Sequence, residues 1–162
     1  MRQMEARILL VEDTASDAEL IKEAFRDSPI PYRLDLATNG EDALQLLRAL
    51  EEKPHLVLLD LNLPRKNGLE VLREIRRDPD PLLMTVPVII LTNSKSRKDV
   101  LRAYTHGCNA YIHKPISFDG LVSTLQTTGQ FWFNCATVPA TVAVSTQRIS
   151  SEFPPPSKRR KK

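Results

Sequence analysis

Three short apolar runs, each ending in a polar residue, restrict this chain more than any other feature. Ile8-Leu9-Leu10-Val11 stops at Glu12-Asp13, Leu56-Val57-Leu58-Leu59 stops at Asp60, and Val88-Ile89-Ile90-Leu91 stops at Thr92. Runs this uniformly apolar suit strands buried on both faces. Segments with helical spacing lie between them. Leu20, Ile21, Ala24 and Phe25 share one helix face, with Ser16 or Asp17 as the candidate cap and a stop near Ser28-Pro29. Tyr32–Ala37 reads as a second strand and Asn39-Gly40 as a turn. Ala43, Leu44, Leu47 and Leu50 mark a second helix, closed by Pro54.

The pattern then repeats. Leu69, Leu72 and Ile75 mark a third helix after Asn67-Gly68. Residues 86–92 form a fourth strand and residues 98–106 a helix; Ala110-Tyr111-Ile112 is a short fifth strand, and Leu121, Val122 and Leu125 line a fifth helix. Parallel strands need a crossover long enough to hold a helix, so strict alternation predicts an α/β fold: one doubly wound, five-stranded parallel sheet with five helices on its two faces.

Composition narrows the setting. With 162 residues and 41% hydrophobic content, the chain holds one core of ordinary size. It has no run of the roughly 18 apolar residues that a membrane helix needs, and an acidic pair interrupts the apolar start, so a cytoplasmic protein without membrane attachment is expected. Cys108 and Cys135 are too few and too far apart for a zinc site or a disulfide framework, and His55, His106 and His113 lack metal-ligand spacing. Those histidines are expected at surface or strand-end positions.

The net charge of +3 is a property of the chain's end. Residues 148–162 carry six of the 23 basic and one of the 20 acidic residues, and the other 147 residues carry 17 against 19, a net −2. A basic nucleic-acid groove and an attached DNA-binding domain are therefore not expected. From residue 138 the sequence turns to Ala, Thr, Val, Ser and Pro without a sustained period and ends in Lys158-Arg159-Arg160-Lys161-Lys162. The expected organisation is a domain over 1–137 and a disordered tail over 138–162, whose basic end reads as a solvated or non-native run.

Functional residues of an open parallel sheet gather at the carboxyl ends of the strands. Here that edge collects Glu12, Asp13, Asp60, Thr92 and, after strand five, Lys114-Pro115. Clustered carboxylates need a compensating cation, and an all-oxygen set suits Mg²⁺ better than zinc. A carboxylate can also act as a nucleophile, with the cation and a lysine neutralising charge on a transferring phosphoryl group; Asp60 is the best placed acid for this.

Val11-Glu12-Asp13, Leu59-Asp60-Leu61-Asn62-Leu63-Pro64 with Gly68, Leu91-Thr92-Asn93-Ser94 and Tyr111-Ile112-His113-Lys114-Pro115 occur in the order found in response-regulator receivers, which the chain resembles from about residue 6 to residue 133. The resemblance implies a flavodoxin-like receiver fold and a two-component phosphorelay role, with Asp60 as phosphoacceptor for a sensor histidine kinase. It implies Mg²⁺ on Glu12, Asp13, Asp60 and the backbone carbonyl of Asn62, Lys114 on the phosphoryl oxygen, and Thr92 and Tyr111 as a switch. It also implies a cis peptide before Pro115. The opening and ending are similar to stand-alone regulators of cyanobacterial-type bacteriophytochromes, which implies a bacteriophytochrome kinase as partner. On this reading the chain is no enzyme beyond catalysing its own phosphorylation and dephosphorylation.

Two other classes fit less well. An aspartate-nucleophile phosphatase needs an acid two residues after the nucleophile, where this chain has Asn62, and no lid-sized insertion is visible. A flavodoxin-like cofactor binder needs glycines cradling the phosphate after strand one, and none cluster there. Lastly, Phe131-Trp132-Phe133 cannot all face one core, because neighbours on a helix point about 100° apart. At least one ring should be exposed, and a symmetric homodimer is expected through this end and the face formed by helix four (98–106), strand five and helix five.

Overall fold

The computed structural model describes residues 5–142. Five strands, β1 (Ala6–Val11), β2 (Tyr32–Ala37), β3 (Leu56–Leu59), β4 (Val88–Thr92) and β5 (Ala110–His113), pair in parallel in the order β2-β1-β3-β4-β5. The order reverses between β1 and β3, which opens a crevice at their carboxyl ends. Helices α1 (Ala15–Arg26), α2 (Gly40–Ala49), α3 (Gly68–Arg77), α5 (Arg97–Thr105) and α6 (Phe118–Gln130) are the five read from periodicity. The chain adds a four-residue α4 (Pro81–Met84), a π-helical turn (Phe131–Cys135) and a short α7 (Pro139–Val142).

Side chains alternate across the sheet, so each strand feeds two cores. Leu9, Val11, Val57, Leu59, Val88 and Ile90 pack with Leu44 and Leu47 of α2 and with Val71, Leu72 and Ile75 of α3. Ile8, Leu10, Leu56, Leu58, Ile89 and Leu91 pack with Ile21, Ala24 and Phe25 of α1 and with Leu121 and Leu125 of α6. At about 1.5–3 kcal/mol per fully buried aliphatic side chain, these two layers dominate the stability of the fold.

Local chemistry sets the helix starts. Asn67 caps α3 in a reciprocal box: its side chain accepts the Glu70 N–H at 3.0 Å, and the Glu70 carboxylate accepts the Asn67 N–H at 3.1 Å. Gly68 begins α3 pressed against the backbone of Asp60 and Leu61, where a Cβ would lie far inside van der Waals contact. Only glycine lets α3 approach the end of β3 so closely. Helix α1 differs from expectation. It starts after Thr14, whose side chain makes no cap bond, while Asp17 lies inside the first turn and serves the site described below. Leu20, expected on the buried face, is 45% exposed, and Ala18 is buried in its place.

The expected boundary after residue 137 does not mark the end of packing, because Val138 is 3% exposed and Pro139–Val142 is helical. Residues 143–162 of the expected tail, with its basic run, lie outside the described residues. Of the three aromatics, Phe131 is exposed while Trp132 and Phe133 pack against the α1–α6 core. His55 is buried at the head of β3, where Nδ1 accepts the Arg7 N–H at 2.9 Å. Cys108 is buried and Cys135 exposed, both as free thiols. No helix among the described residues is long and apolar enough to cross a membrane.

Candidate functional site

Backbone pairing draws the polar strand ends together. The Glu12 N–H donates to Ala37 O (3.0 Å), the Asp60 N–H to Val11 O (3.1 Å), and the Lys114 N–H to Thr92 O (2.8 Å). These bonds carry the sheet register one step past the strands and place Glu12, Asp60, Thr92 and Lys114 along one edge. Glu12, Asp13 and Asp60 each offer a carboxylate oxygen within 4.8 Å of the others; Glu12 and Asp60 are buried and Asp13 is exposed.

The Lys114 ammonium lies inside this cluster, with Nζ 2.6 Å from Glu12 Oε2, 2.8 Å from Asp17 Oδ2 and 3.1 Å from Asp60 Oδ2. An ammonium has three protons, so these three carboxylates saturate it. Burial alone would lower the Lys114 pKa, but bonds to Asp17 and Glu12 and the charge of Asp60 outweigh it and raise the group above its usual value. Burial raises the Glu12 carboxyl, the Lys114 bond opposes that shift, and the Asp60 charge adds to it. The site thus holds more negative charge than one lysine relieves. An oxygen-only set of this kind fits a divalent cation.

Four residues expected at the site, Glu12, Asp13, Asp60 and Lys114, come together directly. Thr92, fully buried, joins through its backbone bond to Lys114 and through Oγ1, which accepts the Ser94 N–H at 3.3 Å. Tyr111 is linked at one remove: its phenol donates to the Ser94 carbonyl at 2.9 Å. Burial first, then the charges of Asp99 and Asp60, raise that phenol, against the lowering effect of the Ser94 bond. Asn62 adjoins the site through its N–H to Asp60 Oδ1 at 3.3 Å.

One expectation is corrected. No peptide among the described residues is cis, so the Lys114–Pro115 bond is trans. The lysine needs no cis bond to point inward: the strand-like Lys114 N–H to Thr92 O bond and the pull of three carboxylates direct it. Trans is also the lower-energy isomer before proline by about 0.5–1 kcal/mol. Asp17 was missed as a site residue. Its position four residues after Asp13, one helical turn on, was the available signal, but a carboxylate in a first turn reads as a cap. A hollow of about 330 Å³ opens beside the cluster, lined by Asp17, Leu20, Asn93, Lys114, Pro115 and Ile116 among others.

Residues 8–126 match the response regulator receiver domain family. The chain belongs to that family. Receiver domains are the signalling phosphoacceptors of two-component systems and partner histidine kinases, and the acidic cluster seen here fits the divalent metal that such domains bind. The response regulator Rcp1 of Synechocystis sp. is 38% identical over 136 residues, covering 82% of this chain and 92% of Rcp1. A probable methanogenesis regulatory protein, FilR2 of Methanothrix harundinacea, is 40% identical over 127 residues, or 77% of this chain and 82% of FilR2. Among solved structures, the phosphorylated cyanobacterial phytochrome response regulator RcpA superposes with a TM-score of 0.78 at 37% identity, covering 84% of this chain and 99% of RcpA. A Mn²⁺-bound form of Rcp1 superposes at 0.75, also at 37% identity, covering 83% and 99%.

Proposed function

We propose that this receiver takes a phosphoryl group onto Asp60 from a sensor histidine kinase of the phytochrome class, with Mg²⁺ held by Glu12, Asp13, Asp60 and the Asn62 carbonyl. One observation carries the reading: a buried aspartate at the end of β3 shares its pocket with two further carboxylates and a lysine 3.1 Å away. When bound, the cation neutralises charge on the phosphoryl oxygens. A carboxylate oxygen of Asp60 donates its electron pair to phosphorus while the phosphorus–nitrogen bond of the donor breaks, and that pair leaves with the imidazole. Lys114 holds Asp60 in place and exchanges a bond to one of its other carboxylates for one to an arriving oxygen, and Thr92 offers its hydroxyl. The chain's own chemistry is limited to gaining and losing this group.

The output is a surface change at α5, β5 and α6, read by contact. Leu101 and Tyr104 of α5 are 69% and 52% exposed, and Phe131 after α6 is 53% exposed; this exposed apolar surface supports pairing of two copies in a cytoplasmic setting. Sedimentation velocity tests it: a monomer at all micromolar concentrations, with and without a phosphoryl mimic, defeats the dimer. For the chemistry, Mg²⁺ with acetyl phosphate should add one phosphoryl mass to the intact protein and none to Asp60→Asn. Full labelling of Asp60→Asn at another residue sinks the assignment.

A further inference from the structure

Ser94, between β4 and α5, makes four hydrogen bonds that tie three parts of the molecule together. Its N–H donates to Thr92 Oγ1 (3.3 Å), its carbonyl accepts the Tyr111 phenol (2.9 Å), its hydroxyl donates to Asp99 Oδ2 (2.6 Å), and the same hydroxyl accepts the Ser96 N–H (3.3 Å). The bond to Asp99 is the shortest of the four and has a charged acceptor, which makes it the strongest. Asp99 is itself anchored in the first turn of α5, where its N–H donates to the Ser96 cap hydroxyl at 3.4 Å.

We infer that Ser94 and Asp99 are positioning residues that hold the Tyr111 phenol inward, the Ser94 hydroxyl fixing the carbonyl that the phenol meets. A loop carbonyl turns easily when its peptide is unconstrained. Here the side chain of the same residue is clamped to a helix, so the carbonyl stays aimed at the phenol.

The test uses the full chain, unphosphorylated, labelled with 3-fluorotyrosine. Tyr32, Tyr104 and Tyr111 provide the fluorine resonances, and Tyr111→Phe assigns the third. Ser94→Ala and Asp99→Ala should move or split the Tyr111 signal, raising the outward population about tenfold for the loss of one charge-assisted bond. The Tyr32 signal should stay put, and Ser94→Thr, which keeps the hydroxyl, should restore the wild-type position. Ser94→Ala leaves the α5 sequence intact, so it remains informative even where Asp99→Ala loosens the helix. A Tyr111 resonance in Ser94→Ala that superimposes on wild type overturns the inference. Labelling the same proteins with acetyl phosphate separates the two readings, because failure to modify Asp60 counts against the proposed function and leaves the resonance result standing.

Discussion

Replacing Arg76 with methionine probes how the loops that lead into β4 and β5 are held. Arg76 sits in the last turn of α3, half-buried. Its Nε donates to Gly107 O (2.8 Å), Nη1 to Met84 O (2.9 Å) and Val86 O (2.8 Å), and Nη2 to Asn109 Oδ1 (2.9 Å). Asn109 Oδ1 in turn accepts the Val88 N–H at 2.8 Å, so one guanidinium fixes the approach to both strands. Methionine fills similar volume but leaves three backbone carbonyls without a partner, each costing about 1–3 kcal/mol. Water reaches a half-buried site and keeps each cost near the lower limit. Burial also holds Arg76 below its usual pKa, and relief of that desolvation offsets part of the loss. The expected net destabilisation is about 3 kcal/mol. For a domain of this size that corresponds to a fall of about 10 °C in Tm. Circular-dichroism melts and urea titrations with an unchanged slope measure it. Arg76→Lys should recover only part, since an ammonium cannot span the fork. A Tm for Arg76→Met within about 2 °C of wild type refutes the reasoning.

Other outcomes follow from the same structure. Millimolar Mg²⁺ or Mn²⁺ should raise the Tm, by about 2.7 kcal/mol of stability at one hundred times Kd, and Asp13→Asn should remove most of the rise; an equal rise in the variant counts against the cation site. Burial lowers the His55 pKa, so the unfolded chain takes up the proton first: stability is present above about pH 6.5 and is lost as pH falls toward the folded value. Urea midpoints at pH 7.5 and pH 5.5 should therefore separate more for wild type than for His55→Gln, at up to about 1.4 kcal/mol per pH unit, and equal separation excludes His55 as the cause. Val138→Ser should destabilise by roughly 1–3 kcal/mol, because the residue is buried where a tail was expected; an unchanged melt shows that the packing is incidental.

The chain's alternation of apolar runs and helical spacing was enough to predict the parallel sheet, because burial on both faces leaves the central strands β3 and β4 no polar positions except at their ends. Glu12, Asp13, Asp60 and Thr92 were legible as a group because each stands at the carboxyl end of a buried run, whereas Lys114 follows the half-buried β5 and was legible through the family motif. Short elements escaped. Four residues of α4 and five of the π-helical turn are too few to show a period, and they exist because neighbouring elements hold them.

What the sequence determined on its own was therefore the layer order and the acids that end strands one and three, since both follow from local hydrophobic period and strand position. Only the tertiary structure decided which partners those residues meet. Asp17 reads as a helix cap and turns out to bind Lys114, from 97 positions away. Lys53, a residue that no sequence pattern singles out, is buried, with Nζ donating to Leu47 O and Leu50 O at 2.7 Å to close the end of α2. Arg76 and Ser94 look ordinary in sequence and prove to be junctions. The physical reason is common to all four. A polar side chain's role depends on which donors and acceptors lie within about 3 Å of it, and packing of distant segments sets that distance where local propensity cannot.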